Sequence, residues 1–153
     1  LPRGLFVYRK KDKLLFTTKE IVFEEIEFSY ELPKNGFVKI NEANIIIETE
    51  VMTISRYKAL KKDKTLKWFD CNKIKGGTVV RSRKSGDKIK LSMGSKKLKQ
   101  LFIDLKIPKE ERDRIPVLQD DNGILCVGNF RNSEEYKVDE NTKEVLKICF
   151  KKI

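Results

Sequence analysis

A chain of 153 residues has room for one medium domain or two small ones, and 39% apolar residues are enough for a packed core. With Lys+Arg 34 against Asp+Glu 23, its net charge of +11 favours polyanionic partners such as RNA, DNA or an anionic membrane face. No apolar run approaches the ~18 residues of a membrane-spanning helix, and the absence of histidine excludes His-containing catalytic triads, His-ligated zinc and imidazole general bases. Leu1-Pro2-Arg3-Gly4 fits neither a signal nor a transit peptide. Starting without an initiator Met, the chain is expected to be the tail of something longer.

The first half reads as strands. Leu5–Tyr8 and Leu14–Phe16 flank the polar turn Arg9–Lys13, a hairpin pattern. Phe23, Ile26 and Phe28 alternate with glutamates as in a half-buried strand. Pro33-Lys34-Asn35-Gly36 is turn chemistry, because Pro presets φ and Asn-Gly supplies positive φ. Ile45–Ile54 is β-branched and predicts a long central strand, and Trp68-Phe69-Asp70 a short strand end. Lys75-Gly76-Gly77 is the best boundary, dividing a β-rich unit 1–76 from a second unit 77–153, or else marking a bend in one continuous domain.

Beyond it, Thr78–Arg83 alternates as a strand. Ser95 is a candidate N-cap for a helix whose Leu98, Leu101, Phe102 and Leu105 form one apolar stripe. Pro108 suits the first turn of a short exposed helix through Glu110–Asp113, and Pro116–Leu118, Ile124–Val127 and Val145–Phe150 read as closing strands. Asp121-Asn122-Gly123 is a hairpin turn. The sum is a strand-rich α+β fold with a few short helices.

Charge is clustered. Arg56–Lys75 holds eight basic and two acidic residues, and Arg81–Lys99 eight basic residues and only Asp87. Self-repulsion disfavours such windows unless a polyanion faces them. Gly94-Ser95 before Lys96 and Lys97 predicts a helix first turn able to hold a phosphate. No nucleotide-binding loop accompanies it: Gly76-Gly77-Thr78 is a lone glycine pair, and Met93–Lys96 lacks the upstream glycine of a Walker loop. Cys71, Cys126 and Cys149 form no Cys-x-x-Cys pair and are expected as buried, reduced thiols of a cytoplasmic protein. Tyr30, Phe37, Trp68 and Phe102 are expected in the core before any base-stacking role. Residue chemistry alone thus predicts a non-catalytic module that binds RNA or DNA, with no metal site.

From about Phe69 the chain resembles the C-terminal region of bacterial tRNA(Ile)-lysidine synthase. The resemblance rests on Val80-Arg81-Ser82-Arg83-Lys84-Ser85-Gly86-Asp87-Lys88-Ile89, on Met93–Lys99, on Leu101–Asp104, on Lys106–Val117 and on Ser133–Val138. Three of these, the Arg-x-Arg-x-x-Gly-Asp, Lys-Lys-Leu-Lys and Ile-Pro-x-x-x-Arg-Asp elements, recur in that family in the same order and at closely similar spacing. The resemblance implies a parent enzyme that adenylates the wobble cytidine of a minor isoleucine tRNA and joins lysine to it. ATP and Mg would belong to an N-terminal domain bearing a Ser-Gly-Gly-x-Asp-Ser loop, which this chain lacks, so the chain alone is expected to be inactive. The C-terminal region would grip the tRNA body and acceptor stem, in a layered α+β fold around an unusual β-sandwich, similar to a domain of the phenylalanyl-tRNA synthetase β subunit. A homodimer through the parent protein is a further implication. One departure is Gly128-Asn129-Phe130, where Arg131 stands displaced from the arginine that relatives tend to carry.

The expected interface comprises Arg81, Arg83, Lys84, Lys88, Lys96, Lys97 and Lys99, with Arg112 and Arg114 from the third element, converging on phosphates and ribose hydroxyls of an A-form stem. About five phosphate contacts would give a log–log salt slope of roughly −3 to −5. Two rival readings are a folding or dimerisation module with incidental charge, and a small-molecule enzyme.

Overall fold

The computed structural model describes residues 6–10, 13–17 and 26–153. β1 (Phe6–Lys10) and β2 (Lys13–Thr17) form the expected antiparallel hairpin, Phe6 opposite Thr17. Of the acidic strand expected around Phe23–Phe28, Phe23, Glu24 and Glu25 lie outside the described residues. Ile26–Phe28 is irregular and leads into β3 (Ser29–Glu31). There follow β4 (Gly36–Ile40), β5 (Ile45–Thr53), α1 (Ile54–Ala59), β6 (Leu66–Asp70), β7 (Val79–Arg81), β8 (Lys88–Leu91) and β9 (Gly94–Lys97). The chain closes with α2 (Leu98–Asp104), α3 (Lys109–Arg112), β10 (Val117–Gln119), β11 (Ile124–Val127), β12 (Arg131–Asn132) and β13 (Glu144–Lys152).

One antiparallel sheet runs β4-β5-β13-β6 and another β12-β11-β10-β7-β3. In β5 the side chains of Ile45, Ile47, Thr49 and Val51 point one way, and Glu48, Glu50 and buried Met52 the other, and the strand is long and central as predicted, paired on one side with β4 and on the other with β13. The two sheets share a core that includes Phe28, Ile40, Ile47, Phe69, Val80, Leu118, Leu125, Leu146 and Ile148. The five-stranded sheet is covered on its other face as well, where Val117, Ile124 and Val127 meet Ile89 of β8 and Leu98, Leu101 and Phe102 of α2. β11 is therefore buried at each residue from Ile124 to Val127, which explains its unbroken apolar run. This is a strand-rich, layered α+β fold of the expected class.

Each larger sheet draws strands from both sides of Lys75-Gly76-Gly77. β3 pairs with β7, and β13 lies between β5 and β6. The expected units 1–76 and 77–153 thus exchange strands. The Pro33–Gly36 turn likewise carries the chain from one sheet to the other and closes no hairpin. Asn35 Oδ1 accepts the Val51 N–H at 2.9 Å and Thr49 Oγ1 donates to the Pro33 carbonyl at 2.6 Å, which anchors the crossing on β5.

Two local expectations change. The strand expected over Ile45–Ile54 ends at Thr53, and Ile54 opens a helix, α1, capped where Thr53 Oγ1 accepts the Arg56 N–H. The predicted helix start at Ser95 is displaced: Ser95 pairs with Lys90 in the β8–β9 hairpin, the chain stays extended to Lys97, and α2 opens at Leu98. Hairpin pairing overrides the capping preference of Ser95, because Ile89 reaches the core only if its strand has a partner. Lys96 and Lys97 are consequently strand residues, and the Leu98 N–H is taken by the Asp87 carbonyl at 2.9 Å, so the helix-terminus phosphate site is not formed.

Of the aromatic residues expected in the core, Phe102 is fully buried, while Tyr30 and Trp68 are half-buried. Phe37 is 68% exposed, because it occupies the outward register of edge strand β4. Of the three thiols, Cys126 is buried, and Cys71 and Cys149 are half-buried; all three are free. Burial pushes the Cys126 thiol up to about 12 and the Cys71 thiol up to about 11, so neither supplies thiolate at neutral pH.

Candidate nucleic-acid interface

The β8–β9 hairpin forms a two-stranded sheet of its own, anchored by Ile89 beneath it. Strand alternation sends Lys88 and Lys90 to the opposite, solvent face. The register sets Lys88 against Lys97 and Lys90 against Ser95, so Lys88 and Lys97 are neighbours on one exposed face. Lys90 is tied to Glu135 at 3.0 Å. Lys96 lies on the inner face opposite Ile89 and bends to Asp104 of α2. Hydrogen bonds from Lys96 and then Gln100 hold the Asp104 carboxyl below its usual range.

The loop entering the hairpin is built around Arg81 and Asp87. Arg81 is 4% exposed. Its two terminal nitrogens donate to the Asp87 carboxylate at 2.9 and 2.8 Å, and its Nε donates to Gln119 Oε1 at 2.8 Å. Asp87 Oδ2 also accepts the Lys84 N–H at 2.6 Å, which tightens the loop while the Lys84 side chain stays exposed. Since the Asp87 carbonyl meets the first residue of α2, Lys84, the Lys88–Lys97 pair and exposed Lys99 gather round one junction.

The other expected side chains divide into buttresses and free cations. Arg83 donates from Nε to Asp113 at 2.8 Å, and its guanidinium carbon lies 5.8 Å from the centre of the Phe102 ring. Arg112 donates to the Ile107 carbonyl at 2.9 Å, and burial followed by the nearby charge of Arg83 lowers its pKa. Arg114 is exposed. Among the described residues, no carboxylate lies within ion-pair distance of Lys84, Lys88, Lys97, Lys99 or Arg114. Arg81, Arg83 and Lys96 spend their charge on Asp87, Asp113 and Asp104. The type of residue alone cannot show this division, since Asp87 and Asp113 become partners only through the tertiary arrangement. Met93, at the hairpin apex, is 90% exposed.

The first basic window is divided as well: exposed Lys58, Lys61 and Lys64 have no ion-pair partner among the described residues. Arg56 binds Glu50 at 2.6 Å, Lys73 binds Asp139 at 2.7 Å, and Lys67 donates to the Asn129 carbonyl at 3.2 Å. Lys62 Nζ sits 4.2 Å from the centre of the Tyr57 ring. A cleft of about 300 Å³ lies elsewhere, between the Pro33 turn, Cys71–Ile74 and Gly76–Thr78, and none of the free cations named above lines it. Among the described residues, no group of three His, Cys, Asp or Glu side chains could hold a metal ion, and no helix is long and apolar enough to cross a membrane.

Comparison with known proteins bears directly on this arrangement. The family described as "TilS substrate C-terminal domain" matches residues 78–149, a span that holds the hairpin, α2, α3 and each of the free cations. Over all 153 residues the chain is 64% identical to tRNA(Ile)-lysidine synthase of Clostridioides difficile (strain 630), covering 33% of that protein. It belongs to the tRNA(Ile)-lysidine synthase C-terminal domain family. A second relative, the tRNA(Ile)-lysidine synthase of Caldanaerobacter subterraneus subsp. tengcongensis, is 41% identical over 140 residues, 90% of this chain and 30% of its own length. The chain therefore spans about a third of the curated relatives it matches. A solved structure titled "Crystal structure of TILS C-terminal domain" superposes with a TM-score of 0.72 at 26% identity, covering 84% of this chain and 98% of that one. The lysine-bearing hairpin is thus part of the TilS C-terminal domain itself, and the strands before residue 78 complete its sheets.

Proposed function

We propose that this chain is the tRNA-gripping, non-catalytic part of a tRNA(Ile)-lysidine synthase. The parent enzyme would use ATP and Mg, bound in an N-terminal domain outside this chain, to ligate lysine to the wobble cytidine of the minor isoleucine tRNA in the cytoplasm. This chain would hold the tRNA body and acceptor stem, leaving the anticodon loop to the distant active site.

The observation that carries this reading is the exposed Lys88–Lys97 pair. Like charges directly opposite on an antiparallel ribbon are locally unfavourable, and a phosphate between two ammonium groups turns that repulsion into attraction. A two-stranded ribbon suits the shallow groove and backbone of an A-form helix, where recognition is by shape, phosphate and 2′-hydroxyl. Lys84, Lys99 and Arg114 extend the contact. Arg81, Arg83, Lys96 and Arg112 support it from within, Arg81 by fixing the loop that carries Lys84.

The test is binding of an isoleucine tRNA transcript by the 153-residue chain across a salt series. With four or five phosphates engaged, the log–log slope should be roughly −3 to −4, and the Lys88→Glu/Lys97→Glu variant should bind at least ~tenfold more weakly with a shallower slope. A chain that forms a defined dimer and binds the transcript no better after charge restoration than after reversal would instead be an assembly module.

A further inference from the structure

The apex of the cationic hairpin carries an apolar side chain that the phosphate reading leaves unused. Leu91 pairs with Gly94, so Ser92 and Met93 form the turn, and Gly94 at φ +114° supplies a conformation closed to most L residues. Met93 is the most exposed of the large hydrophobic residues named in the fold, at 90%, against 68% for Phe37 and 41% for Phe130. Its position is nonetheless well fixed. Ile89, four residues earlier, is 1% exposed in the core beside α2, and the hairpin base is tied to α2 through the Asp87 carbonyl. Met93 is thus held at the tip of a short, anchored lever with Lys88 and Lys97 behind it.

Phosphate contacts give such a tip no use, since a thioether neither carries charge nor donates a hydrogen bond. It does suit the face of a nucleobase: it is polarisable, unbranched and able to lie flat on a π-system. Methionine is among the apolar side chains that proteins press against unstacked bases. Within an A-form stem the base faces are covered by their neighbours, and they are open only where pairing stops. We propose that Met93 stacks on an exposed base at the end of the RNA helix whose phosphates meet Lys88 and Lys97, so that the hairpin registers where a stem ends.

This rests on the tRNA-gripping reading, and the experiment separates the two. Transcripts carrying 2-aminopurine either at the unpaired nucleotide following the acceptor stem or inside that stem are titrated with the 153-residue chain and with its Met93→Ala, Met93→Leu and Lys88→Glu/Lys97→Glu variants. Expected are a fluorescence change at the unpaired position alone, its loss in Met93→Ala with ~fivefold weaker binding and an unaltered salt slope, and its recovery in Met93→Leu. Met93→Ala binding and reporting like the native chain, while the double lysine variant binds weakly, would overturn the role of Met93 and leave the tRNA reading intact. Weaker binding of Met93→Ala without any fluorescence difference would overturn base stacking. Native binding by the double lysine variant would overturn both.

Discussion

Lys88 and Lys97 stand directly opposite each other on the solvent face of the β8–β9 hairpin, with no carboxylate in ion-pair range among the described residues. Stability and binding therefore make opposite demands on this pair. Lys97→Glu converts a repulsive cross-strand pair into an attractive one and should raise stability by about 0.5 kcal/mol, seen as a higher urea midpoint. The same variant should bind the tRNA transcript several-fold more weakly. Loss of stability together with unchanged binding would count against both halves of this argument.

Arg81 and Arg114 are both arginines of the expected interface, yet they should respond oppositely. Arg81→Ala leaves Asp87 buried without its guanidinium and should cost about 3–5 kcal/mol of stability. Arg114→Ala should change stability by no more than about 0.5 kcal/mol while reducing the salt slope of RNA binding by about 1. Denaturant unfolding beside salt-series titration distinguishes the two.

At the expected boundary only the first glycine is required. Gly76 sits at φ +73°, and a Cβ there would fall 1.9 Å from the Asp121 carboxylate, forcing that side chain aside. Gly77 has nothing within 4 Å. Gly76→Ala should therefore destabilise by about 1–2 kcal/mol, whereas Gly77→Ala should be neutral to within about 0.5 kcal/mol. Thermal melts of the two variants make the comparison.

Asp120 accepts hydrogen bonds from the N–H groups of Lys75, Asn122 and Gly123 and from the Tyr136 hydroxyl, the last at 2.6 Å. Burial works to raise its pKa, but these four donors outweigh burial and hold it below the ordinary value. A carboxyl depressed in the folded state stabilises the fold above its unfolded pKa of about 4, and that contribution is lost as pH falls through the folded value. Asp120→Asn should lower stability at pH 7 and flatten the acid limb of the stability profile relative to the native chain. Urea midpoints from pH 7 to pH 2 measure both effects.

Legibility in the sequence followed the range of the interactions. The α2 stripe of Leu98, Leu101 and Phe102, the Asp121-Asn122-Gly123 turn and the β-branched run of β5 were all readable, because neighbours within a few residues decide them. The start of α2 was misplaced, since Ser95 has the side chain of a cap and only its pairing with Lys90 reveals a strand. The pairing of β13 with β5 joins residues nearly a hundred positions apart, which no local period encodes. At the interface, the clustering of positive charge was visible, but its division was not. Arg81 and Lys84 look equivalent in a charge count, and they part because Asp87 meets the guanidinium of one and the backbone of the other.

The place of β13 bears on how the protein comes into being. Translation delivers β5 and β6 long before the strand that must lie between them, so for most of synthesis they cannot assemble their final sheet. The nascent polypeptide waits with open strand edges until residues 144–152 emerge, a window in which holdase chaperones would protect it. A ribosome that stalls before that point releases a product without its middle strand, ready for proteolysis.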